Sequence, residues 1–168
     1  NNAGFGLAGS FLDNEVAQEE AGLDVMVRAA MLTCHAAGRA MRARGHGAIV
    51  NVSSVASFIA HGSYSAEKAF VTVFSEGLAS ELAGTGVTVT ALCPGFTRTE
   101  FHQRARMKFS ALPEFLWLDA DDLVQQALTD VAAGKVISVP GAQWKVLAAT
   151  VRALPRPLVR GVGVRALH

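Results

Sequence analysis

Apolar stretches with the two-residue period of a strand alternate along this chain with longer stretches of helical period. Ala48-Ile49-Val50-Asn51-Val52 reads as a buried strand ending at Ser53-Ser54. Val87-Thr88-Val89-Thr90-Ala91-Leu92 is a second strand, closed by Cys93-Pro94-Gly95, and Val136-Ile137-Ser138-Val139 a third, stopped by Pro140-Gly141. Between and before them, Asp13 to about Arg44 is helical, with a break expected near Gly22. Val25, Ala29, Leu32, Ala36 and Ala40 share one small-residue face, and Gly45-His46-Gly47 ends the run. Ser63 to Leu82 is the strongest helix, with Ala66, Ala69, Phe70, Val73, Phe74, Gly77, Leu78 and Leu82 in one apolar stripe. Asp119 is the expected N-cap of a further helix reaching Ala133. This order predicts an α/β fold, a parallel sheet with right-handed crossovers. Ligands of such sheets sit beyond the carboxyl ends of the strands. Ser54 and Pro94-Gly95 stand at two of those ends, and Tyr64 opens the helix that follows the first.

Composition narrows the picture. The 168 residues allow one core, 51% are hydrophobic and the net charge is +1, so no global field selects nucleic acid. Cys34 and Cys93 are far apart and five histidines are scattered, which gives no metal-ligand spacing. No signal peptide or apolar run long enough to span a bilayer is visible, and a cytoplasmic protein is expected. Gly4-Phe5-Gly6-Leu7-Ala8-Gly9 matches the G-x-G-x-x-G expression. The dinucleotide fingerprint needs a strand feeding its first glycine, and only three residues precede Gly4; a loop is expected instead.

The candidate chemistry lies in Ser63-Tyr64-Ser65-Ala66-Glu67-Lys68, with Ser54 upstream. Tyr64 and Lys68, four residues apart, fall one turn apart on a helix. An ammonium close to a phenol favours the phenolate. Bringing the phenol from about 10 to about 7 takes roughly 4 kcal/mol, at about 1.36 kcal/mol per unit. Lys68 and a cationic cofactor ring are the expected sources. Tyr64 would then exchange a proton near neutrality, while Ser54 hydrogen-bonds the reacting oxygen.

Five features in this order, Asn1-Asn2-Ala3-Gly4, Asn51-Val52-Ser53-Ser54, Tyr64-x-x-x-Lys68, Pro94-Gly95 and Thr99, make the chain resemble the short-chain dehydrogenase/reductase family. The resemblance spans most of the chain and fades after about Gly141. It implies an incomplete Rossmann-like doubly wound sheet of about three strands over residues 1–141. It also implies an NAD(P)-dependent oxidoreductase interconverting an alcohol and a carbonyl. Tyr64 takes the acid/base role, Lys68 lowers its pKa and holds the cofactor ribose, and Ser54 positions the substrate oxygen. Pro94, Gly95 and Thr99 flank the nicotinamide, and Ala3 and Gly4 lie along the cofactor's path. NAD and NADP are not distinguished.

Three departures accompany the resemblance. The loop from Ser54 to Tyr64 is short for the family, which reshapes the substrate entrance near His61. Met26 falls where the family places a helical asparagine, so an impaired proton relay is expected, methionine being no amide. The family's first three strands, with the turn that binds pyrophosphate, have no counterpart. A fragment of a longer enzyme is therefore expected, with an uncovered edge at Ala48–Val52 and uncovered apolar surface on both long helices. The alternative is a catalytically incompetent remnant serving as an oligomerisation or binding module.

After Pro94-Gly95 the family carries a substrate lid, and the segment from Phe101 to Leu118 fits that place. Phe96, Phe101, Phe109, Trp117 and His61 are the candidate substrate-lining residues, with inward packing of the aromatics as ordinary core the open alternative; an apolar carbonyl compound or alcohol is the expected substrate. Residues 142–168 form a basic amphipathic tail. Two short helices split by Pro155-Arg156-Pro157 and packed on the domain or a partner subunit are favoured over peripheral membrane contact. The resemblance further implies a homodimer or tetramer built through helices 24–44 and 63–82.

Overall fold

The computed structural model describes residues 1–7, 9–99 and 113–165. Three parallel strands, β1 (Gly47–Val52), β2 (Val87–Leu92) and β3 (Ile137–Ser138), form a sheet in that order. Gly47 pairs with Val87 and the register runs through Val52 with Leu92; Ala91 and Leu92 pair with Ile137 and Ser138. The first two strands match the predicted bounds closely. The third is shorter than Val136–Val139.

The first helical region is continuous from Val16 to Arg44: α1 (Val16–Leu23), a π-turn (Asp24–Arg28) and α2 (Ala29–Arg44). Gly22 does not break it. The irregularity falls one turn later, where the π-turn takes the helical path around Met26. α2 ends as predicted on Gly45, which adopts the left-handed conformation glycine tolerates best.

The second long helix, α3 (Gly62–Glu81), corrects the reading of its faces. Phe70 and Val73 of the predicted stripe are 36% and 66% exposed. Its buried face is Ser65, Glu67, Lys68, Val71, Thr72 and Ser75. On α1 and α2 the buried row is likewise Gly22, Met26, Ala30, Cys34 and Gly38, while Leu32, Ala29, Ala36 and Ala40 are exposed. Periodicity finds the apolar side of a helix. Here the inner side of α3 is polar, and the end of β1 presents matching donors and acceptors to Lys68, Thr72 and Ser75. Asn51 Nδ2 donates to Ser75 Oγ at 2.9 Å, and Ser53 Oγ donates to the Lys68 carbonyl at 2.8 Å and lies 2.7 Å from Thr72 Oγ1. Such a network is stable when buried only because its members are satisfied.

Cys34, Ile49, Leu82, Val87 and Val89 make the core on the face covered by α2 and α3. Leu92, Leu123 and Ala127 make that on the other face, under α4 (Ala120–Ala132). Asp119 caps α4 as predicted, accepting from the amides of Asp121 and Asp122. The tail forms α5 (Ala142–Ala153) and α6 (Arg156–Arg165), separated at Leu154-Pro155. α5 buries Trp144, Ala148 and Val151, and Arg152 lies over the Phe58 ring at 5.5 Å. Among the described residues no helix is long and apolar enough to cross a membrane, and no group of His, Cys, Asp and Glu could hold a metal ion.

On the outer side of β1, the Asn1 ammonium donates to the Val50 carbonyl and the Val52 amide donates to the Asn1 carbonyl, both at 2.9 Å. Asn1 thus extends the sheet by one residue opposite β2.

Candidate active site

The ends of β1 and β2 bring the predicted residues to one rim. The Ser53 amide donates to the Leu92 carbonyl at 2.7 Å and the Val55 amide to the Pro94 carbonyl at 3.0 Å, locking the two strand exits together. Ser54 caps the 3-10 turn Val55–Phe58, accepting from the Ala56 amide at 3.1 Å. That turn folds the short connection so that α3 starts at Gly62, and Tyr64 in its first turn is hydrogen-bonded to Ser54. His61 sits half-buried at the N-cap of α3.

Lys68 is only 4% exposed; its Nζ donates to the Val52 carbonyl at 2.8 Å and lies 5.7 Å from the centre of the Tyr64 ring. Burial lowers its pKa to about 8, against the opposing charges of Glu67 and Cys93. Tyr64 is pushed up to about 12, first by burial, with the Ser54 hydrogen bond acting downward and the Glu67 charge upward. Lys68 by itself does not draw Tyr64 toward neutrality. In the chain alone, desolvation of the phenol wins, and the phenol keeps its proton.

Gly4 packs beside both Met26 and Lys68: a Cβ on Gly4 would lie 3.3 Å from Met26 Sδ and 3.4 Å from Lys68 Nζ. Behind Lys68, a cavity of about 190 Å³ is lined by Asn1, Asn2, Ala3, Met26, Asn51 and Lys68, among others. Met26, at 2% exposure, presents a thioether where an amide was absent from the sequence. Lys68 lines this cavity, and Ser54 and Tyr64 do not.

At the exit of β2, Gly95 lies directly under the indole of Trp144, leaving no room for a side chain there. Phe96 packs edge-on against Trp144, centroids 5.5 Å apart, and tilted against Trp117 at 5.8 Å. Trp144 Nε1 donates to the Leu116 carbonyl at 3.0 Å and Gln143 Nε2 to the Phe115 carbonyl at 3.0 Å. Arg98 pairs with Glu114 and lies over the Trp117 ring. Phe96 therefore packs both on Trp117 and on a tryptophan that sequence reasoning left in the tail. Thr99 is exposed, two residues past the Thr97–Leu118 bridge. Phe101 and Phe109 lie outside the described residues.

The donor set fits the nicotinamide half of a dinucleotide. Lys68 brings a buried ammonium, Gly4 a close backbone approach, Ala3 a place in the cavity lining, and Pro94-Gly95 a strand exit beside Ser54. Among the described residues no strand feeds a glycine turn at a helix N-terminus, the arrangement that cradles a pyrophosphate.

Asn51, Trp144 and Glu67 were not singled out as functional residues by the sequence. Asn51, fully buried, accepts from Asn1 Nδ2 at 2.7 Å and from Cys34 Sγ at 3.3 Å while donating to Ser75. Its signal was an amide interrupting an otherwise apolar strand.

Comparison with known proteins places these residues in context. The family profile described as "short chain dehydrogenase" matches residues 1–109. The "Short-chain reductase protein NovJ" of Streptomyces niveus is 37% identical over 137 residues, covering 80% of this chain and 48% of that protein. A short-chain dehydrogenase from Sphingobium yanoikuyae, solved in complex with NADPH, superimposes with a TM-score of 0.78 at 32% identity, covering 89% of this chain and 60% of that one. The "bulky-bulky ketone specific alcohol dehydrogenase" from Comamonas testosteroni gives a TM-score of 0.72 at 29% identity, covering 89% and 58%. The chain spans about half the length of such curated relatives.

Proposed function

Since this chain belongs to the short-chain dehydrogenase family, we propose that it serves an NAD(P)-dependent oxidoreductase that interconverts an alcohol and a carbonyl. The hydrogen-bonded Ser54–Tyr64 pair, with the buried Lys68 one turn further along the same helix, carries this reading. Bound NAD(P) would supply or accept the hydride. Ala3, Gly4, Lys68, Pro94, Gly95 and Thr99 are the residues proposed to hold its nicotinamide end.

Tyr64 keeps its proton near neutral pH, so the chain's ready state is the acid, poised to protonate a carbonyl oxygen. Ser54 shares its hydroxyl with Tyr64 and steadies that oxygen from the other side. Lys68, held on the Val52 carbonyl, supplies the positive charge that stabilises the phenolate left behind. Met26 can relay no proton through its side chain, so replenishing Tyr64 is the step this sequence weakens.

An apolar carbonyl compound is the proposed substrate class. Support comes from the aromatic cluster of Phe96, Trp117 and Trp144 beside Gly95, and from the ketone named for the Comamonas enzyme. His61, Phe101 and Phe109 complete the proposed lining. A cytoplasmic setting and assembly as a homodimer or tetramer belong to the same proposal.

Met26 favours a second reading, in which the chain is an inactive remnant that only binds or assembles. The two readings part on one experiment. Titration of the protein with NADH and NADPH, followed by turnover of a panel of ketones, should give binding and activity. Tyr64→Phe should lower kcat by about 10²–10⁴-fold with the fold intact. Absence of nicotinamide binding would sink the enzyme reading.

A further inference from the structure

Behind the reaction pair, α3 sends a carboxyl group into the protein interior. Glu67, between Tyr64 and Lys68 in sequence, is 2% exposed, and both of its carboxyl oxygens are buried without a hydrogen-bond partner. Across from it on α1, Glu19 is 6% exposed. Its Oε1 accepts from Asn14 Nδ2 at 2.8 Å, and its Oε2 is buried and unpartnered. The two helices pack directly, and Gly22 makes the room: a Cβ there would lie 2.6 Å from Glu67 Oε1.

An ionised carboxylate buried without donors is costly, and two of them in one dry place more so. A carboxyl without donors in that position settles by keeping its proton, and a like charge nearby favours the same outcome. We propose that the buried Glu67 carboxyl keeps its proton in the folded chain, where α1 closes onto α3 and brings Glu19 near, and so stays uncharged behind Tyr64 and Lys68. Burial, and after it the charge of Glu19, push the Glu67 carboxyl above the ordinary range, and the neighbouring Lys68 offsets only part.

The other ionisable groups around Glu67 are few. Tyr64 and Lys68 lie on its own helix. In the π-turn, Asp24 and Arg28 pair with each other at the surface, 3.7 Å apart. The 3-10 turn, β1 and β2 carry no ionisable residue. A charged Glu67 raises the pKa of both Tyr64 and Lys68. With the proton on Glu67 that influence is removed, so Glu67 acts as a positioning residue for the acid/base pair. This last consequence rests on the oxidoreductase reading; the retained proton rests on the burial and packing of Glu67.

Because the folded state holds this proton more tightly than the unfolded chain does, stability falls as pH rises from about 4.3 toward the raised folded value. Infrared spectroscopy of the full chain near neutral pH should show the carbonyl stretch of a protonated carboxyl. Glu67→Gln should remove it, and Glu19→Gln should make it disappear at a lower pH. In thermal melts, Glu67→Gln should gain on the parent progressively as pH rises. No protonated-carboxyl band in the parent, its persistence in Glu67→Gln, or a melting difference independent of pH would each overturn the proposal. The band is read without substrate or cofactor, so a chain without turnover still tests it. In an active protein, superimposable pH–rate profiles for the parent and Glu67→Gln would overturn the positioning role alone.

Discussion

At the scale of single residues, burial decides the chemistry before any partner does. The Tyr64 phenol and the Lys68 ammonium are both desolvated, and each moves toward its neutral form: the tyrosine up to about 12, the lysine down to about 8. Tyr64 is the chain's single tyrosine, so tyrosinate absorbance reads it alone. Titrating the cofactor-free chain, with circular dichroism confirming the fold, should give a midpoint near 12. A midpoint at about 10 or below would contradict that burial. The residue pattern itself was legible: Ser54, Tyr64 and Lys68 meet at one rim, as their spacing implied. Their protonation was not, because spacing reports which charges are close and says nothing of how dry the phenol is. Met26 was visible as a departure, but its packing against Gly4 and Lys68 depends on a contact between distant parts of the chain.

At the scale of elements, strands and caps were easier to read than helix faces. Alternation and flanking glycines marked β1 and β2 nearly to the residue. Asp119 announced α4, and Asp119→Ala should cost about 1 kcal/mol in denaturant unfolding, since two amides lose their acceptor. Less visible was the link from α4 to β3. Asp130, 4% exposed, accepts from Lys135 Nζ at 2.6 Å and from Ser138 Oγ at 2.7 Å. Burial alone would raise its pKa, but these hydrogen bonds, with the charges of Lys135 and Lys145, outweigh it and the carboxyl is lowered. Its contribution to stability is therefore full above about 3.9 and is lost as pH falls through the lower folded value. Asp130→Asn should flatten that acid limb in melts between pH 5 and pH 2 (approximate limits set by the same aspartate reference); an unchanged limb would remove Asp130 from the link. The helix faces were read from apolar content alone. A helix whose inward side bonds to Asn51 and Ser53 defeats that reading, because polar residues count as exposed until their partners are known.

For the whole molecule, the consequence of those inverted faces is a surface. Phe70 and Val73 on α3, with Met31 at 42% and Leu32 at 54% exposure on α2, leave large apolar side chains outside. Where such groups join into one patch they mark an interaction site. A homodimer through the outer sides of α2 and α3 is the proposal they support, and Val73→Asp should halve the mass seen by light scattering without unfolding the chain. A parent protein monomeric at every concentration would count against it. The division of the sheet was legible from the alternation of strand and helix. The course of α5 was not: its burial depends on Trp144 finding Gly95, a glycine whose importance shows only in three dimensions.

That contact has an optical consequence. The chain holds two tryptophans, Trp117 and Trp144, and both rest against Phe96 at the exit of β2. Its tryptophan emission therefore originates beside Pro94-Gly95, so the protein carries its own unlabelled reporter at that corner. A reduced nicotinamide settling there would dim the indoles and brighten itself by energy transfer, which makes the rim observable in a cuvette.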